Sequence, residues 1–166
     1  MPSRLDALVN NAGIMEANGT FAEQIRSSFE VNTLGPALMG HYFKDLLKNS
    51  TSNSRIVHVT SGAGSIAGRM DFDSPHAQLS FIPYRISKAG QNMVFATEAY
   101  ELRDSNIKVF LYGPGPTQSN LTKMNQNPEF KSTAEGSKPI TEILRGKKDH
   151  LSGKFLHYGV DGVVPW

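Results

Sequence analysis

Strands alternating with helices predict an α/β fold, a parallel sheet with helices on both of its faces. Short apolar or β-branched runs recur at residues 7–9, 55–60 and 107–112. Segments with apolar residues at helical spacing separate them, and each run stops at a cluster of Asn, Ser, Gly or Pro that turns a chain.

In order, Ala7-Leu8-Val9 is a buried strand closed by the turn Asn10-Asn11-Ala12-Gly13. Residues 20–48 carry Phe21, Ile25, Phe29, Leu34, Leu38, Tyr42, Phe43, Leu46 and Leu47 at mostly helical spacing. Thr20 is the expected N-cap, Glu23 completes a capping box, and Gly35-Pro36 is the expected bend. The polar stretch 49–54 is a loop, and Arg55-Ile56-Val57-His58-Val59-Thr60 is the second strand. Residues 62–82 read as a long ordered loop, followed by a helix opened by Pro83 and running to about Leu102, with Met93, Phe95, Ala96 and Ala99 available to pack. Residues 107–112 form the third strand, which Gly113-Pro114-Gly115-Pro116 stops. Residues 120–138 are polar and aperiodic, as in a mobile flap; a short helix at 139–144 and a last strand at 154–158 complete the chain.

The 166 residues allow one domain, spanning residues 1–166. Seventeen Lys and Arg against fifteen Asp and Glu leave a charge of +2, too near balance to indicate a nucleic-acid or membrane-surface partner. The absence of cysteine excludes disulfides, thiolate metal sites and a cysteine nucleophile, and suits a reducing, cytoplasmic location. No apolar run is long enough to span a bilayer, so a soluble chain is expected. His41, His58, His76, His150 and His157 show no metal-ligand spacing, and no metal is expected.

Open parallel sheets bind ligands beyond the carboxyl ends of their strands. The turns there are Asn10-Asn11-Ala12-Gly13, Ser61-Gly62-Ala63-Gly64 and the Pro114 to Ser119 segment. Tyr84 and Lys88 share one face in the first turns of a helix. A cation beside a phenol should lower its pKa, allowing proton exchange near neutral pH.

Asn-Asn-Ala-Gly after an apolar strand, Val31-Asn32 in the next helix, Ser61 at a strand end, Tyr84-x-x-x-Lys88 opening a helix and Pro114-Gly115 after the next strand occur in that order. This set resembles the short-chain dehydrogenase/reductase family over nearly the whole chain. The resemblance implies a Rossmann-type fold that transfers hydride between NAD(P) and a small carbonyl or secondary-alcohol substrate. It makes Tyr84 the acid/base, Lys88 the group that lowers the Tyr84 pKa and holds the nicotinamide ribose, and Ser61 the donor to the substrate oxygen, with Ser65 a nearby alternative. Asn32 would hold a water linking Lys88 to solvent. Asn10, Ala12 and Gly13 would line the cofactor, and Pro114, Gly115, Thr117 and Ser119 would border the nicotinamide amide.

Only nine residues precede Asn10, so the family's glycine-rich diphosphate turn and the first βαβ nucleotide-binding unit are absent from this chain. The residue that selects NAD or NADP belongs to that unit; NADP is taken ahead of NAD as a working expectation. The first strand becomes an exposed sheet edge, suited to association or homo-oligomer formation. The stretch from Ser61 to Tyr84 exceeds the usual family loop; it could shape a substrate pocket or equally be a tolerated surface insertion. A second reading is open: a truncated non-catalytic relative acting as pseudo-enzyme or interaction module, or a fragment of a full-length reductase.

Overall fold

The structure is a computed structural model and describes residues 3–73, 77, 80–160 and 163–166. Strands β1 (Ala7–Asn10), β2 (Ser54–Val59), β3 (Ile107–Gly113) and β4 (Phe155–His157) form one sheet in the order β1-β2-β3-β4, every neighbouring pair parallel. Side chains alternate between the two faces, and both faces of the inner strands are covered, which is why these strands read as continuous apolar runs. On one face Leu8, Ile56, Val109, Leu111 and Phe155 pack with Leu47, Phe95 and Leu102. On the other, Val57, Phe110, Tyr112 and Leu156 pack with Ile143. Fully burying one of these large side chains contributes about 1.5–3 kcal/mol. At the β1 edge the second face opens and Val9 is exposed.

Helix α1 (Phe21–Phe29) begins at the expected capping box: Thr20 accepts from the Glu23 amide and the Glu23 carboxylate accepts from the Thr20 amide. The helix then widens into a π-helical turn (Glu30–Leu34) before α2 (Gly35–Lys48). The irregularity therefore falls one turn ahead of the expected bend at Gly35-Pro36. Proline disturbs the turn before it, because its ring and missing N–H act on the carbonyl four residues back, here Asn32. The Gly35 amide accordingly reaches back to Glu30 O, and the wider turn drives Asn32 and Thr33 into the interior.

After β2, a 3-10 turn (Gly62–Gly64) and a short helix α3 (Ile66–Met70) occupy part of the expected loop; residues 74–76, 78 and 79 of that loop, His76 among them, lie outside the described residues. Helix α4 (Ile82–Glu101) starts one residue before Pro83, from Phe81 in the left-handed region at φ 57°. A bulky residue there stores strain of order 1 kcal/mol three residues before Tyr84.

The expected mobile flap at 120–138 is instead hydrogen-bonded structure. The Gln118 amide group donates to Pro128 O and Phe130 O, Asn125 Nδ2 donates to Thr117 O, and helix α5 (Thr133–Leu144) starts well before Pro139. Ser132 caps α5 by accepting from the Glu135 amide. The Ser-x-x-Glu pattern at 132–135 signalled this start, whereas apolar periodicity appears only from Ile140 onward. Trp166 stacks on Phe95 and Phe155, with ring centroids 5.4 and 6.0 Å away, and its carbonyl accepts from the Ala67 amide.

Candidate active site

Parallel pairing aligns the carboxyl ends of β1, β2 and β3, setting Asn10 opposite His58 and Val59 opposite Tyr112. The first turn of α4 carries Tyr84 against the end of β2, where its phenol lies beside Ser61. Ser61 Oγ also accepts from the Ala63 amide at 3.1 Å. The alternative Ser65 is engaged elsewhere, donating to Pro165 O and capping α3 through the Gly68 amide.

Lys88 follows one turn later, its Nζ 5.7 Å from the centre of the Tyr84 ring. This ammonium is buried and donates to Val59 O at 3.1 Å and to Gln91 Oε1 at 2.8 Å. Burial pulls the Lys88 pKa down to about 8. Burial also pushes Tyr84 above the usual phenol value, and the Ser61 hydrogen bond offsets this only in part. The expected lowering of Tyr84 by Lys88 is not what the geometry gives: the ammonium is turned into the β2 end and toward Gln91, and desolvation dominates the phenol.

Asn32 sits beneath this pair. Its Oδ1 accepts from the Ile14 amide at 2.8 Å, and its Nδ2 donates to Ile14 O at 2.7 Å and to Ser87 Oγ at 2.9 Å. The side chain thus pins the turn after β1 to α4. Gly13 lies over it: a Cβ there would stand 3.1 Å from Asn32 Oδ1 and 3.5 Å from Lys88 Nζ, so glycine lets the backbone approach both.

The sequence reading overlooked Ser87. Its hydroxyl accepts from Asn32, donates to Tyr84 O at 2.8 Å, and its carbonyl accepts from Thr33 Oγ1 at 2.7 Å, so it ties α4 to the π-helical turn. A serine three residues after a helix-opening tyrosine is suited to that backward bond, and this was the available signal.

Other named residues take local roles. Asn10 is buried with its amide toward His58 Nδ1, and His58 Nε2 meets Glu98 Oε2 at 2.7 Å. Ala12 is exposed, while Pro114 and Gly115 are half-buried. Gly115 adopts φ 66°, with His157 and Lys131 beside the place of its missing Cβ. Thr117 Oγ1 donates to Gly115 O, and Ser119 Oγ accepts from the Leu121 amide. Among the described residues no three His, Asp or Glu side chains gather as a metal site, and no helix is long and apolar enough to cross a membrane.

The sequence profile of the short chain dehydrogenase family matches residues 1–129. The chain is 38% identical to the short-chain dehydrogenase anuI of Penicillium roqueforti over 159 residues, covering 92% of this chain and 62% of that protein. It is 27% identical to the C-signal protein of Myxococcus xanthus, covering 98% of this chain and 93% of that one. Its fold superposes on NADPH-bound carbonyl reductase from chicken fatty liver with a TM-score of 0.81 and 26% identity, covering 99% of this chain and 67% of that one.

Proposed function

The chain belongs to the short-chain dehydrogenase family, and on that premise we propose that it reduces a carbonyl to a secondary alcohol with NAD(P)H, Tyr84 being the proton donor. One observation carries this reading: Ser61, Tyr84 and Lys88 converge at the carboxyl end of a parallel strand, with the Tyr84 phenol beside Ser61.

The residues present fit the nicotinamide and its ribose. Gly13 leaves room above Lys88 and Asn32 that a Cβ would fill, and the Lys88 ammonium still has a proton to offer after its two internal hydrogen bonds. Gly13 with Lys88 would hold the ribose, and the Pro114–Gly115 turn would border the carboxamide. When bound, the cofactor supplies the hydride to the carbonyl carbon. Ser61 orients the carbonyl oxygen by donating to it, and the Tyr84 O–H delivers the proton that converts the developing alkoxide to alcohol. Burial keeps the Tyr84 phenol protonated at neutral pH, the state needed to reduce; oxidation would need the phenolate.

NADPH titrated onto the chain should bind, a panel of aldehydes and ketones should draw on it, and Tyr84→Phe should lower turnover by about 100-fold or more while NADPH binding persists. An unchanged rate in Tyr84→Phe overturns the assignment. One observation favours a second reading, a non-catalytic interaction protein: among the described residues β1 is an edge strand with Val9 exposed, a surface on which another chain could pair. Absence of both NADPH binding and turnover would select that reading.

A further inference from the structure

Gln91 lies one turn beyond Lys88 on the inner face of α4 and is wholly buried. Its Oε1 accepts from Lys88 Nζ at 2.8 Å, whereas its Nε2 has no partner among the described residues. An amide buried with one end unpaired is unfavourable, and a leucine would fill the same space without that cost. Turning the amide over would set its N–H groups against an ammonium that can only donate. The orientation of Gln91 is therefore dictated by Lys88. On the other side, Val59 O accepts at 3.1 Å, so two of the ammonium's protons are committed inside the protein.

We propose that Gln91 is a positioning residue of the site: together with the Val59 carbonyl it fixes where the Lys88 ammonium stands beneath Gly13, and it keeps that group protonated despite its burial. The functional meaning rests on the reading of Lys88 as part of a reductase site; the Gln91–Lys88 interaction itself can be read without any cofactor. The groups around Nζ are the Tyr84 ring on the same helix, the Val59 carbonyl from β2, Gly13 from the turn after β1 and the Asn32 amide from the π-helical turn. Against them, burial alone pulls the Lys88 pKa down, and a hydrogen bond accepted from the ammonium acts in the opposite sense.

The test is a pH titration of the full chain carrying carbon-13 at the lysine ε position, followed by NMR, with the Lys88 signal assigned by its loss in Lys88→Met. Gln91→Leu should weaken the Lys88 proton affinity by about tenfold, and Gln91→Glu should strengthen it by about tenfold or more. Opposite shifts from one position are not produced by a general loss of packing. If Gln91→Leu does not fold, Gln91→Glu decides alone. A folded variant whose Lys88 titrates within about twofold of the parent overturns the proposal. NADPH binding measured on the same samples reads the reductase assignment separately: a parent chain that fails to bind NADPH refutes that assignment and leaves the Lys88 titration standing.

Discussion

Replacing Asn32 with alanine removes three hydrogen bonds at once, two to the Ile14 backbone and one to Ser87. The Ile14 groups are only part-buried, so water recovers some of their loss, and each bond is assigned about 1 kcal/mol. Asn32 itself is fully buried inside the π-helical turn, so truncation also leaves a small void. The sum is about 3 kcal/mol, a large part of the roughly 5–15 kcal/mol available to a domain. The melting temperature should fall by roughly 6–12 °C in a chain of this size. Urea unfolding with amide hydrogen exchange is the assay, and the Ile14 amide should lose protection well before the β3 amides. A loss of stability below about 1 kcal/mol with Ile14 exchange unchanged would refute the view that Asn32 is a pin between the first turn and α4.

Gly40 faces Glu98 so closely that a Cβ there would stand 1.9 Å from Glu98 Oε1, while that carboxylate also meets His58. Gly40→Ala should cost about 1–3 kcal/mol, and its combination with Glu98→Ala should cost less than the sum, because both break the same contact; additivity in urea titrations would contradict this. Asp149 accepts from Arg55 Nε and Nη2 at 2.9 and 2.8 Å, and these bonds hold its carboxyl below the usual range. Its folded pKa is lowered, so its contribution is present above the unfolded pKa and is lost as pH falls through the folded one. Asp149→Asn should therefore be less stable by about 1–2 kcal/mol at neutral pH, and the gap should close below about pH 4 in pH-resolved melts. Tyr112→Phe removes the 2.6 Å bond from the phenol to Gly136 O and should cost about 1 kcal/mol, with faster amide exchange confined to α5.

The inner strands were legible because burial on both faces leaves no polar residue to interrupt Ile56-Val57 or Val109-Phe110-Leu111. The N-terminal cap of α1 was legible because Thr20 and Glu23 settle it locally. The π-helical turn was not, since residues 30–34 carry no mark of it; its cause, Pro36, acts backward through a carbonyl. The start of α5 was masked because residues 133–138 carry no large apolar side chain, so periodicity gives no signal there and only the Ser132 cap does. Ser61, Tyr84 and Lys88 could be named from their order, but the direction of the Tyr84 pKa could not. It depends on how deeply the phenol is buried and which way the ammonium turns, and Gln91, a residue with no motif, decides the second.

Trp166, the chain's single tryptophan, lies against Phe95 of α4 and Phe155 of β4 while its carbonyl ties down α3. Its indole emission is thus a built-in optical reporter of the junction between the helix that carries Tyr84 and the outer strand β4. A red shift should accompany separation of that helix from the sheet, and energy transfer from the indole to a bound reduced nicotinamide would give the titrations above a second, label-free channel.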